Sequence, residues 1–286
     1  MKDKNDIILF NSSCGDPVKY IDLVDALKKV GADKCDILML HTELSFGLPN
    51  KDIKRKDILQ LLIDAIKELN VKTLLFPTFT FSFSNRQEYD VKNSRTSMGA
   101  LNEFARKMPG ALRSIDPQMS FTVIGEDKDI VRDTGKECVG KNSTFDKIHD
   151  KENVNILFFG TKLEQCFTHQ HYVEWALNVP YRYNMDFTGE IIAADGSRYE
   201  DTYSIFVKYR DVIPFTPPEF TDSLLNEGVL KKETLGDSAL YCFKEKDAYN
   251  ETKSWIERDV NAFLAEPYDT RPLVKEYSYG NVTTVQ

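Results

Sequence analysis

The chain has 286 residues, 41% of them hydrophobic, with 37 lysines and arginines against 45 aspartates and glutamates, a formal net charge of −8. That length and apolar content suit one large α/β domain and exclude a disordered chain. The acidic balance, with no basic block longer than KDIKRK at 51–56, argues against a nucleic-acid partner.

Five scattered cysteines, without a CxxC pair or metal-ligand spacing, point to a reducing compartment. The start shows no leader pattern, and no apolar run is long enough to span a bilayer. A cytoplasmic protein with no membrane partner is therefore expected.

Asp16-Pro17 opens a helical pattern with Ile21, Val24 and Leu27 on one face and Gly31 past its end. CDILMLHT at 35–42 reads as an inner strand whose C-terminal end opens on the loop His41 to Gly47, rich in small hydroxyls and ending in glycine. The wrong glycine spacing and a missing lysine exclude a P-loop. Residues 52–69 form an amphipathic helix through Ile58, Leu59, Leu62, Ile63, Ile66 and Leu69. A strand over 71–83 follows, and strand, helix, strand at this spacing predicts that part of the sheet is parallel.

A helix is predicted over 98–108, a short helix over 127–134, and a ligand-accessible polar loop at Gly140 to Thr144. Another apolar strand lies at 153–160. After Arg182 the pattern becomes antiparallel, with Asp195-Gly196 as a hairpin turn. The proline pair at 217–218 introduces a helix to about Lys232, then come a strand at 238–244 and a helix at 248–264. Nothing in this C-terminal third reads as catalytic.

Chemistry concentrates at 160–182, which holds two of the four histidines. A helix over 168–178, stopped by Pro180, places Thr168, His171 and Glu174 in one row, since residues three apart are neighbours on a helix. A neutral imidazole beside a carboxylate serves as a general base near neutral pH. Three other readings stand beside this one. His169 and His171 with Glu174 suggest a metallohydrolase, although side chains two apart on a helix diverge. Cys166 could act as a nucleophile. A catalytically dead sugar-nucleotide binder would keep the pocket alone.

HTELSFG at 41–47, LLFPTFTFSF at 74–83, MGALNEFARKMPGALRS at 98–114, GKNSTFDKI at 140–148 and THQHYVE at 168–174 resemble, in order, the blocks of the aminoglycoside 3-N-acetyltransferase family. The resemblance implies a single α/β domain with a mixed, partly parallel sheet flanked by helices, distinct from the GNAT fold, over 1–265, followed by a tail at 266–286. It implies acyl-CoA as a co-substrate that is not tightly bound, and no metal. By position His171 is the base, Glu174 its carboxylate, and Thr168 lines the thioester. CoA would be held by His41, Thr42, Leu44, Ser45, Phe46, Gly47, Arg113, Ser114 and Ser120, and the acceptor by Asn85 and Tyr89.

Asp116 stands where the family turn R-S-x-H-P has histidine. That departure, with the unaligned C-terminal third, favours from sequence an N-acyltransferase for a dTDP-linked amino-deoxysugar of surface polysaccharide (O-antigen, lipopolysaccharide) biosynthesis. Aminoglycoside 3-N-acetylation is the alternative. A homo-oligomer is expected.

Overall fold

The computed structural model describes residues 3–285. A seven-stranded sheet runs, in spatial order, Lys231–Leu235, Ser238–Lys244, Val154–Phe159, Ile37–Thr42, Thr73–Pro77, Phe121–Gly125 and Leu112–Arg113. The central strand Ile37–Thr42 pairs in parallel with Val154–Phe159 and Thr73–Pro77, and the outer pairings are antiparallel. The sheet is mixed, as the βαβ spacing and the family resemblance imply.

Strand periodicity divides the interior into two layers. Ile37 and Met39 face one core with Ile156 and Phe158, while Leu38 and Leu40 face the other with Leu157 and Phe159. The second core is covered by helices Tyr20–Lys29 and Arg55–Lys67, the latter through the apolar stripe read from sequence. His41 falls on the same face as Met39, beside the ring of Phe158 at 5.2 Å. Thr42 points to the opposite layer and bonds Asn102.

Several elements differ from expectation for local reasons. The strand at 71–83 ends at Pro77: Phe81 has a φ of 51°, and the N–H of Asn85 bonds back to its carbonyl, so the chain turns. The loop at 140–144 is a helix start, in which Ser143 accepts the Asp146 N–H and caps Thr144–His149. The helix after the proline pair stops at Asn226, with Gly228 at φ 71°, and Lys231 and Lys232 belong to an edge strand. The short helix at 127–134 is a 3₁₀ turn, Lys128–Val131.

Two hairpins carry the C-terminal part. Arg182–Ile192 and Arg198–Lys208 pair along their length, and Tyr183, Met185 and Phe187 alternate into the core. In the tail, Glu276–Tyr279 pairs with Val282–Val285. Tyr279 packs on Phe81 with ring centroids 4.4 Å apart, and Tyr277 meets Phe187 edge-on at 5.8 Å. No helix among the described residues is long and apolar enough to cross a membrane.

Glu245, which opens helix Glu245–Arg258, ties this layer together. Its carboxylate is buried, 2.8 Å from His149 Nδ1 and 2.7 Å from His169 Nε2. Burial would raise its pKa, but the two imidazoles overcome that and hold it at about 2. Glu245→Ala leaves His169 buried without this partner and should cost about 3 kcal/mol in urea unfolding at pH 7. The depressed pKa gives stability that is present above the unfolded value of 4.5 and lost as pH falls toward about 2. The variant's stability curve should lack that acid-side fall.

Candidate active site

The strand Val154–Phe159 delivers the chain to Gly160 at φ 74°, where a Cβ would sit 2.2 Å from the Glu43 carbonyl oxygen. Only glycine lets the 41–47 loop lie so close. A short helix, Leu163–Cys166, and a turn then lead into helix Gln170–Ala176. Thr168 precedes this helix rather than lying in it, but its carbonyl accepts the His171 N–H, so the three-residue row survives.

Glu174 is buried and held on several sides. Its Oε2 lies 2.6 Å from Arg182 Nε, while Gln170 Nε2 and Tyr181 Oη donate to Oε1 at 3.0 and 3.1 Å. Burial pushes the carboxyl up, but Arg182 and His171 reverse this and bring it to about 2. It is an ionised carboxylate at any physiological pH. Arg182 also donates to the Phe206 carbonyl at 2.9 Å, which fixes the guanidinium to both strands of the long hairpin.

His171 Nδ1 sits 3.0 Å from Arg182 Nη2 and 3.5 Å from Glu174 Oε2. The two contacts select different tautomers, because a guanidinium only donates and a carboxylate only accepts. With Arg182 as partner the proton resides on Nε2, and the ring is a donor. With Nδ1–H turned to Glu174, the Nε2 lone pair is free and the ring is a base. Burial and then Arg182 hold the His171 pKa below 6.5, with Glu174 opposing them. The His171 side chain is 36% exposed, whereas that of Glu174 is buried.

Two cavities share Thr168, His171, Arg182 and Pro214 in their walls. One, of about 520 Å³, runs along 163–168 and Phe215. The other, of about 340 Å³, is bounded by Phe79, Phe81, Lys208, Tyr277 and Tyr279. A third, of about 240 Å³, lies between His41, Thr42, Met98 and Cys166, and shares Gln165 and Cys166 with the first. Thr168 Oγ1 is buried without a partner at the meeting point. The backbone N–H groups of Thr168, Gln170 and His171 are taken by local carbonyls, so this hydroxyl is a free polar group on the wall of both cavities.

The other sequence-predicted residues divide clearly. His41 and Thr42 line the third cavity, and burial, reinforced by His169, lowers the His41 pKa to about 3, so it is neutral. Leu44 and Phe46 pack into the second core, Ser45 donates to the Gly160 carbonyl, and Gly47 passes close to Asn11. Arg113, Ser114, Ser120 and Tyr89 form a buried brace that lines none of these cavities. Arg113 donates to Ser120 Oγ, to the Ser94 carbonyl at 2.6 Å and to the Thr78 carbonyl at 2.6 Å. Ser120 Oγ donates to the Thr78 carbonyl, Ser114 Oγ accepts the Phe121 N–H, and Tyr89 Oη donates to the Ser114 carbonyl. These groups, expected from sequence at CoA and the acceptor, are hydrogen-bonded to one another and to nearby carbonyls.

Asn85 donates to the Phe81 carbonyl beside the tail hairpin. Asp116 also turns inward, accepting the N–H groups of Gln118 and Met119. His169 faces Glu245, away from His171, and no group of three metal-ligating side chains occurs among the described residues. Sequence reasoning left out Arg182 and Lys208, although the Asp195-Gly196 turn supplied the signal. That turn sets the register in which these two residues are direct cross-strand partners.

The family described as aminoglycoside 3-N-acetyltransferase matches residues 39–257. The aminoglycoside acetyltransferase AAC(3)-Xa superposes with a TM-score of 0.70 at 20% identity, over 84% of this chain and 92% of the other. AAC-IIIb in its binary complex with CoASH gives 0.69 at 17% identity, over 87% and 98%. The YokD protein from Bacillus subtilis gives 0.69 at 18% identity, over 88% and 95%. At such identities the likeness speaks for the fold. No curated protein matches the chain in sequence.

Cys166 lines two of the cavities, but burial pushes its thiol up to about 12. A thiol is nucleophilic only as thiolate. Alkylation by iodoacetamide at pH 8, followed by mass spectrometry, should therefore label the exposed Cys14 at least tenfold faster than Cys166. Rapid labelling of Cys166 would restore the acyl-cysteine route.

Proposed function

Because the chain belongs to the aminoglycoside 3-N-acetyltransferase family and is an acyl-CoA-dependent N-acyltransferase, we propose that it acylates a sugar-borne amine by direct attack, with His171 as general base. The observation that supports this is the position of Thr168 and His171 on the wall common to two cavities. A donor thioester approaching from the Cys166 side and an acceptor amine from the Lys208 side would meet there.

The neutral amine attacks the thioester carbonyl carbon, and a C–N bond forms. His171 Nε2 takes a proton from the amine while Nδ1–H turns to Glu174, whose charge steadies the imidazolium. Thr168 Oγ1–H bonds the oxyanion. As the intermediate collapses the C–S bond breaks, and the same proton passes from Nε2 to the departing CoA sulfur. The sum is one amide and one thiol, with no covalent enzyme intermediate.

For the acceptor, the comparisons favour the aminoglycoside class over the one preferred from sequence. The family carries that name, and among similar structures AAC-VIa is bound to sisomicin. The nucleotide-linked amino sugar stands as a second reading because Lys208 and Arg182, with no acidic residue, line the inner cavity.

His171→Asn should lower kcat by about 10³-fold, with the Kd for CoA changed less than threefold by calorimetry. Thr168→Val, which keeps the shape and removes the hydroxyl, should lower kcat by about 10²-fold. Retention of most activity in His171→Asn would refute the assignment. The base acts only when neutral, so kcat/KM should rise as pH passes upward through the His171 pKa. That limb should lie below pH 6.5.

A further inference from the structure

The inner cavity has a wall chemistry of its own. Phe79, Phe81, Met119, Phe206, Tyr277 and Tyr279 supply an apolar and largely aromatic surface, contributed jointly by the core and the tail hairpin. The charged side chains on it are Arg182 and Lys208, and no aspartate or glutamate lines it.

These two cations are direct partners across the long hairpin. Like charges facing each other on adjacent strands repel, so the site is short of negative charge. One carboxylate, Glu174, answers them, and it lies against Arg182 at 2.6 Å. Burial and then Arg182 lower the Lys208 pKa to about 8, so at pH 7 two cations against one anion leave positive charge in surplus beside His171. Lys208 is half-buried and forms no ion pair with a carboxylate among the described residues. A polycationic acceptor would bring more positive charge to that surplus, and like-charge repulsion disfavours it.

We propose that Lys208 is a specificity-determining residue that binds an anionic group on the acceptor, whose apolar face packs on the aromatic wall. The acceptor is then an amine that also carries a phosphate or a carboxylate, rather than a polycation. The inference rests on the acyltransferase reading and takes the second of its two acceptor readings, against the aminoglycoside class that the comparisons favour.

The test uses the full chain with saturating acetyl-CoA and follows thiol release. Glucosamine 6-phosphate and a dTDP-linked 4-amino-4,6-dideoxyhexose supply phosphate, muramic acid supplies carboxylate, glucosamine is the unsubstituted reference, and sisomicin is the polycation. At least one anionic amine should exceed glucosamine and sisomicin in kcat/KM by about tenfold or more, and which one does so separates phosphate from carboxylate. Lys208→Met should reduce that preference to near unity, chiefly through KM, and Lys208→Glu should move the preference toward sisomicin. A wild-type preference for sisomicin, or a charge preference unchanged in Lys208→Met, would overturn the inference. Calorimetry with CoA keeps the two levels apart: a protein that binds CoA but favours no anionic amine refutes the role of Lys208 alone. Failure to bind CoA removes the acyltransferase reading as well.

Discussion

The buried ion pair between Glu174 and Arg182 is the contact on which the site depends. Removing two such charges from water is expensive, and their mutual attraction offsets that only when the remaining polar atoms are also satisfied. Here Gln170 and Tyr181 supply Oε1, and the Phe206 carbonyl takes Nη1. Glu174 belongs to the short helix, and Arg182 is the first residue of the long hairpin. The pair therefore fixes the angle between the element that carries His171 and the element that forms the inner cavity. The same pair confronts His171 Nδ1 with one donor and one acceptor, so a small ring movement exchanges a hydrogen-bond donor for a base.

The chain holds four histidines, and their environments assign them different work. His149 and His169 are committed to Glu245, which locks the site helix to helix Glu245–Arg258. His41 lies neutral against Phe158 under the third cavity. His171 alone borders both cavities that meet at Thr168. Helical geometry enforces the split between His169 and His171: two residues apart, they cannot share a face, and each finds its own carboxylate.

The inner strands and covering helices were readable in the sequence because their signals are local. Continuous apolar runs become strands buried on both sides, as at Val154–Phe159, and a 3.6-residue stripe becomes the face of Arg55–Lys67. The Thr168, His171 and Glu174 row was readable for the same reason. The internal partners of Arg113, Ser114, Ser120 and Tyr89 were not, because a hydroxyl or guanidinium looks alike in sequence whatever carbonyl it meets across the fold. Arg113 reaches the carbonyls of Thr78 and Ser94, which no pattern near residue 113 announces. The tail offered no signal beyond its aromatic content, since Tyr279 meets its partner Phe81 only after folding.

The two sides of the site are therefore built under different constraints. Thr168, His171 and Glu174 come from one short segment, and Arg182 from the strand that follows it, so their mutual positions are set by local geometry and a buried charge pair. The inner cavity, the proposed acceptor side, draws on Phe81, Lys208, Tyr277 and Tyr279, which come from three distant stretches of chain. Its tail hairpin forms a two-stranded sheet of its own rather than extending another. The tail-hairpin part of this wall joins no other sheet, whereas Lys208 is tied to Arg182 through the long hairpin. Acyl transfer needs alignment of the reacting atoms to within a fraction of an ångström, which the rigid half provides. Selectivity needs a complementary surface only. The charge on that surface follows from the cross-strand pairing of Arg182 with Lys208, which the hairpin register fixes.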